Sequence, residues 1–264
     1  MSILPPIQIT TLAALTAGQD WRLSLAHSRD EHLLIWVSRG QGRLLLNGTR
    51  RGYGTHNAIF VPAGTLFSFE AGRQVIGLAA RVPLGSEARL PEGPRQLRLR
   101  DTAAINEIAG LLDTAQREAA SERALVQDAL DGYLALISVW LRRQITLPEH
   151  LPASMTAAAR LSQRVCARIA DHYASPMTIS DHAGALDVTP THLARACKTA
   201  TGCTAADLLT QRVLHAARTA LVETDVAMQD IARHLGFGSA AYFTRFIQAH
   251  TGKTPTALRA AAGR

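Results

Sequence analysis

Between Trp21 and Pro83 the apolar residues come in short runs: Leu23 to His27, His32 to Ser38, Arg43 to Asn47, His56 to Val61, Leu66 to Phe69 and Gln74 to Val82. Gly40-Gln41-Gly42, Asn47-Gly48, Gly52-Tyr53-Gly54, Pro62-Ala63-Gly64 and Ala71-Gly72 punctuate them. Runs of that length, broken by turn residues at that spacing, predict an all-β domain built as an antiparallel barrel or sandwich. Leu84 to Arg100 has no sustained period and reads as a connector with a short strand at Gln96 to Leu99. The period then becomes helical. Ile105, Ile108, Leu111, Leu112 and Ala115 fall on one helix face, and Val126, Leu130, Tyr133, Leu134, Ile137 and Leu141 on another. The two helices predict an antiparallel hairpin whose stripes either close an intrachain core or form a homodimer interface. Ile145 to Ser154, with Pro148 and Pro152, reads as a linker. Beyond it Leu161, Val165 and Ile169 open an all-α region of about seven helices, with Asp207 to Glu223 as its long central helix.

That last region contains an internal repeat. Ala183-(x)3-Asp187-Val188-Thr189, followed by Leu193, Arg195 and Gly202, recurs as Ala232-(x)3-Gly236-Phe237-Gly238-Ser239, followed by Phe243, Arg245 and Gly252. The offset is 49 residues at the alanines and 50 from Thr189/Ser239 onward, so one residue near Gly238 is extra. Each copy reads as helix-turn-helix: a small residue lets two helices approach, a tight-turn residue follows, and a hydroxyl caps the second helix. Thr178-Ile179-Ser180-Asp181 has capping-box spacing, and Thr189-Pro190 is an N-cap followed by proline at the first helical position. Asp187 fills the turn position of Gly236 and must enter the left-handed region at more cost than glycine.

Composition narrows the partners. The chain of 264 residues is 47% hydrophobic, enough for two cores. Its net charge of +7 is uneven, since residues 158–264 hold 12 Lys/Arg against 7 Asp/Glu. A basic surface attracts polyanions through counterion release. Cys166, Cys197 and Cys203 are odd in number and lack metal-ligand spacing, which fits a reducing cytoplasm. No apolar run is long enough to span a bilayer, and Met1 to Thr11 lacks the pattern of a signal peptide, so no membrane partner is expected.

From Thr178 to Arg259 the residues resemble the AraC/XylS family of transcriptional regulators. The likeness is carried by both repeat units, by Arg212-(x)3-Ala216 and Leu221 between them, by Ile231-Ala232-(x)3-Gly236-Phe237 and Tyr242-Phe243-Thr244-Arg245, and by Thr251-Gly252-Lys253-Thr254-Pro255. It implies a bipartite domain that sets two recognition helices into successive major grooves of double-stranded DNA. Under that resemblance the outward positions of the first helix are Thr191, His192, Ala194, Arg195 and Lys198. Thr191 and Arg195 are base readers, Arg binding guanine O6 and N7 bidentately, and Lys198 meets phosphate. The second helix offers Ala240, Ala241, Thr244 and Arg245, with Ser239 and the helix's first amides as phosphate contacts. Phe237, Tyr242 and Phe243 are assigned to packing. Where the family usually closes each recognition helix with Phe-Lys, this chain has Cys197-Lys198 and Ile247-Gln248, so charge is lost in the second unit.

His32 to Val82 also resembles the cupin-type sensor that often precedes this module. Metal-binding cupins use a His-x-His pair, a Glu and a later His. This chain has no His-x-His, and Leu66-Phe67 stand where the later His would fall, so no metal and no cofactor are expected. Nor is there a Gly-x-Ser-x-Gly elbow or a phosphate loop, and the chain reads as no enzyme. A small barrel can enclose an effector, with Arg22, His32, Trp36 and Arg43 as candidate contacts if strand alternation turns them inward. The resulting expectation is a multidomain α+β protein. A cupin-like β-barrel over 1–100 senses an effector, a helical hairpin over 101–145 either packs within the chain or dimerises, 146–157 links, and 158–264 carries two helix-turn-helix units that bind DNA. A small-molecule effector is the expected regulator, with RNA polymerase a partner if the protein is an activator and a homodimer as one assembly state. The competing readings are a ligand-independent regulator whose barrel only dimerises and a cupin-type metalloenzyme fused to a DNA-binding domain.

Overall fold

The computed structural model describes residues 7–152 and 154–263. Its N-terminal half begins with β1 (Gln8–Thr11), α1 (Leu12–Thr16) and α2 (Trp21–Ser24). The strands β2 (Glu31–Arg39), β3 (Gly42–Leu46), β4 (Thr49–Tyr53), β5 (Asn57–Val61), β6 (Ser68–Ala71), β7 (Ile76–Pro83) and β8 (Arg95–Arg98) follow. They form two antiparallel sheets, one ordered β1-β7-β2-β5-β8 and the other β4-β3-β6. The closed cupin-like barrel expected from the sequence is not formed. The chain steps between sheets after β2, β4, β5 and β6, and no ladder joins the two among the described residues. Period-two alternation and hairpin turns are common to barrels and sandwiches, so the pattern could not tell them apart.

The central strand explains the arrangement. Leu33 to Val37 is apolar without interruption because β2 is covered on both faces. Leu33, Ile35 and Val37 point between the sheets with Ile59, Leu44, Leu46, Tyr53, Phe67 and Phe69, and this space is filled by side chains. Leu34 and Trp36 point the other way, with Phe60 and Leu97, toward the helical hairpin α3 (Thr102–Ala119) and α4 (Val126–Ile145). The stripes read from sequence, Ile108, Leu112 and Ala115 with Leu130, Leu134, Ile137 and Leu141, are buried in that same core. Asp101 caps α3 by accepting from the amides of Ala103 and Ala104.

Two expected elements are corrected. Leu23 to His27 is not a strand: Trp21–Ser24 is a helical turn, and His27 keeps only a lone bridge to Phe67, with N–H to O distances of 2.9 Å in both directions. Gly52 and Tyr53 belong to β4 rather than a turn, because Tyr53 Oη donates to Glu70 O and buries its ring on Phe69. Asn47 and Gly48, at φ 53° and 67°, make the tight β3–β4 turn. A Cβ on Gly48 would lie 2.4 Å from the Gln163 backbone nitrogen, so glycine is needed here for both angle and space.

A 3-10 turn at Pro148–His150 leads into the helical half. There α5 (Ala157–His172), α6 (Ile179–Gly184), α7 (Pro190–Thr201), α8 (Ala205–Glu223), α9 (Met228–His234), α10 (Ala240–Thr251) and α11 (Pro255–Ala261) match the expected number. Thr156, Thr178, Thr189, Thr204, Ser239 and Thr254 all cap their helices through the side-chain oxygen, each contributing about 1 kcal/mol. One core lies around α5, α6 and α7 and a second around α9, α10 and α11, with α8 running through both. The β half joins them directly: Ala26, Leu45 and Leu66 are buried in the first core, and Leu25 packs on the second.

Candidate nucleic-acid interface

The two repeat units fold alike in each feature that aims a second helix. Ala183 and Ala232 are both buried on the first helix of their units. The chain then turns through a left-handed residue, Asp187 at φ 56° or Gly236 at φ 76°. Thr189 and Ser239 accept from the amides of His192 and Tyr242, starting α7 and α10. Leu193 and Phe243, both fully buried, anchor the helices inward, and Gly202 and Gly252 stop them in left-handed geometry.

This anchoring leaves the opposite face outward. Thr191, His192, Arg195 and Lys198 on α7 are exposed and Ala194 is half-buried; on the second unit Ser239, Ala240, Ala241 and Arg245 are exposed and Thr244 is half-buried. Among the described residues, Arg195, Lys198 and Arg245 belong to no ion pair. The charges of Arg195 and Arg245 are therefore free to meet an anion, while Lys198 also acts on the Asp207 carboxylate. The hydroxyl of Thr244 donates to Ala240 O at 2.9 Å, which holds its methyl and oxygen in one rotamer.

Tyr242 departs from the packing role assigned to it. Phe243 is buried and Phe237 packs edge-on against it, whereas Tyr242 touches Phe237 with one side of its ring and is 54% exposed. The repeat contains the signal that identifies it: at an offset of 50, Tyr242 is the counterpart of the outward His192. The structure adds it to the exposed face.

The four residues considered for an effector do not converge on one site. Arg22 lies on helical α2, where strand alternation does not apply, and pairs with Glu223 of α8. His32 and Trp36 lie on the β2 face turned away from the space between the sheets. His32 Nδ1 accepts from the Ala63 amide at 3.2 Å, and Trp36 is buried against the hairpin. Arg43 is exposed on β3. Histidines 27, 32 and 56 are also apart, and among the described residues no three His, Cys, Asp or Glu side chains gather as a metal site. No helix among those residues is long and apolar enough to cross a membrane.

One of the four does line a cavity. A cleft of about 640 Å³ between the β half and α8 is bordered by Arg22, His27, Arg29, Arg81, His215 and Glu223. His27 and His215, one from each half, stack at 4.2 Å. Burial drives the His27 pKa well below its usual value, assisted by His215 and Arg29; burial likewise takes His215 down to about 3. Both rings are thus neutral at pH 7. Arg22 Nε and Arg29 Nε are buried without a hydrogen-bond partner among the described residues, leaving donor capacity on the cleft wall, while His27 donates from Nδ1 to Leu25 O at 2.9 Å and so presents Nε2 as an acceptor.

The sequence comparisons cover only part of the chain, with the family model falling within the repeat. Residues 182–261 match the family model described as "Helix-turn-helix domain". The probable transcription factor PqrA of Proteus vulgaris is 40% identical over 68 residues, 26% of this chain and 56% of that protein. The bifunctional transcriptional activator/DNA repair enzyme AdaA of Bacillus subtilis (strain 168) is 31% identical over 88 residues, 33% of this chain and 42% of that protein. The matched region thus spans only about half the length of these relatives. Among solved structures, unsaturated fatty acid bound wild-type ToxT from Vibrio cholerae strain SCE256 aligns over 98% of this chain and 97% of its own, at 11% identity and a TM-score of 0.47. Two capped, outward-facing helices in a duplicated frame and the family match within it identify the C-terminal half as an AraC/XylS-type helix-turn-helix DNA-binding domain.

Proposed function

We propose that the protein is a sequence-specific regulator of transcription that reads two successive major grooves with α7 and α10. The observation that carries this reading is the pair Arg195 and Arg245, which are exposed, unpaired and at equivalent places in the duplicated unit. Thr191 and Arg195 read base edges in one groove. Arg245, with Thr244, Ala240 and Ala241, reads the other, where small side chains meet thymine methyls. Lys198, His192 and Ser239 hold phosphates, and Gln248 in place of a lysine makes the second contact the weaker one. RNA polymerase is the further partner if the regulator activates.

A small organic anion in the cleft between the halves is the proposed effector, with Arg22 its principal contact. A ligand carboxylate there would compete with Glu223 for Arg22 and meet the unpaired Nε donors of Arg22 and Arg29, shifting how the β half bears on α8. The filled space between the sheets supports this location over the interior of the β domain.

The test is selection of bound duplexes from a random library, followed by affinity measurement for Arg195→Ala and Arg245→Ala on selected and scrambled DNA. Loss of discrimination in both variants supports the reading. Equal weakening on the two duplexes would overturn base recognition. For the effector, a thermal-shift panel of small carboxylates is expected to yield a stabilising ligand whose effect disappears in Arg22→Gln. A panel with no stabilising member would favour a regulator that works without ligand.

A further inference from the structure

The three-stranded sheet brings a second set of cations to the end of the first recognition helix. Its register places Arg43 opposite Gly52 and Glu70, and Leu45 opposite Arg50, so Arg43, Arg50 and Glu70 share the face on which Leu45 docks into the core of α5 and α7. Arg51, paired with Leu44, springs from the other face of edge strand β4, beside Arg98 of the other sheet, whose guanidinium Nη2 donates to Gly52 O at 3.1 Å, and it reaches the same sheet edge. Across a cleft of about 460 Å³ Arg43, Arg50 and Arg51 face the last turn of α7, Lys198 to Gly202.

The charge balance there is one-sided. Glu70 is the carboxylate on this face, and Arg50 already holds it through both oxygens at 2.8 and 2.9 Å. Arg50 also stands over the C-terminal turn of α7, 3.5 Å from where a Gly202 Cβ would be, a site where the helix dipole favours a cation. Arg43, Arg51, Arg98 and Lys198 are exposed and join no ion pair among the described residues. Gathering like charges around one sheet edge is unfavourable unless a polyanion takes them. The patch is also continuous with the reading face, because Thr191, Arg195 and Lys198 at i, i+4 and i+7 form one line along α7 that ends at Arg43.

We infer that the β3–β4 hairpin is a second, sequence-independent part of the DNA interface, with Arg43 and Arg51 neutralising backbone phosphates beside the groove that α7 enters. This rests on the reading of α7 as a recognition helix. It gives the β half a direct grip on DNA, in addition to any influence it exerts through α8.

The experiment uses the full chain and a duplex selected by it, with affinity measured by fluorescence anisotropy across a range of KCl. Arg43→Ala/Arg51→Ala is expected to weaken selected and scrambled duplexes alike and to lower the slope of log affinity against log salt by about 1.8, two phosphates at about 0.9 each. Arg43→Lys/Arg51→Lys should keep the wild-type slope, which separates charge from folding. If the double alanine variant keeps wild-type affinity and slope while Arg195→Ala loses discrimination, the hairpin inference falls and recognition by α7 stands. If neither variant differs from wild type, both fall together. Phosphorus NMR with inorganic phosphate gives the remaining outcome: binding abolished by the double alanine variant, with an unchanged DNA slope, would assign the patch to a small anion and overturn the inference.

Discussion

Arg195 and Lys198 sit one turn apart on the same exposed face, yet their expected contributions differ in kind. A planar guanidinium can satisfy two acceptors on one guanine, whereas an ammonium supplies a point charge that any phosphate can accept. Arg195→Ala should therefore reduce affinity for a selected duplex by about tenfold or more, with less effect on scrambled DNA, following the 1–3 kcal/mol typical of a bidentate base contact. Lys198→Ala should weaken both duplexes equally. Competition binding against the two DNAs checks this, and equal loss in both variants would assign Arg195 to the backbone. The turn residues make a second contrast. Asp187 holds φ 56° as an L-residue, so Asp187→Gly should raise unfolding free energy by roughly 0.5 kcal/mol. Gly236→Ala should lower it by about 1 kcal/mol or more, since its Cβ would also lie 3.1 Å from the Ser175 carbonyl group. Urea unfolding of both variants tests the pair. The need for a left-handed residue at 187 was legible in the repeat; the crowding at Ser175 was not, because it comes from a distant turn.

At the scale of elements, strong local chemistry made the helical half readable. Three of the four helices of the repeat begin at a hydroxyl cap, Thr178, Thr189 and Ser239, with Ala227 before α9 the exception, and both recognition helices end at the glycines already visible in the duplicated pattern. The β half was readable as to most strands but not their grouping. Trp21–Ser24 misled because a short apolar run has no periodicity of its own, and β4, Thr49–Tyr53, was concealed by two arginines and a glycine on an edge strand. The packing of α7 on α5 also controls thiol chemistry. Burial raises Cys166 to about 12 and Cys197 to about 11, while Cys203 is half-buried. A thiol-disulfide reagent at pH 8 should label Cys203 alone in the native protein, and all three cysteines in denaturant. Rapid native labelling of Cys166 or Cys197 would contradict this packing.

At the scale of the whole molecule, the halves are joined by contacts that titrate. His27 and His215 are neutral in the folded protein because their pKa values lie below the ordinary 6.5, in the second case near 3. The unfolded chain then binds more protons than the folded one between about pH 6.5 and 3, so stability must fall as pH drops through that window and level off below the folded pKa. His215→Phe keeps the stack with His27 but removes one titrating group. Its stability should decline less steeply between pH 6.5 and 4, as measured by chemical denaturation at a series of pH values. An unchanged slope would mean that His215 is charged in the folded state. Arg212 reinforces the same seam, with its guanidinium 3.4 Å above the Tyr173 ring and Nε donating to Ser28 Oγ at 3.2 Å.

The duplication, its caps and its outward arginines were determined by sequence alone, because helix starts, stops and faces depend on residues within a few positions of one another. That Arg22 faces Glu223, that His27 stacks on His215, and that Arg43 and Lys198 line one cleft were decided only by tertiary structure. Each of these pairs is more than 150 residues apart in the chain. Their approach follows from how two sheets fill the space between them and dock on the helical half. Alternating apolar patterns specify a buried face, but they do not specify which distant surface will cover it.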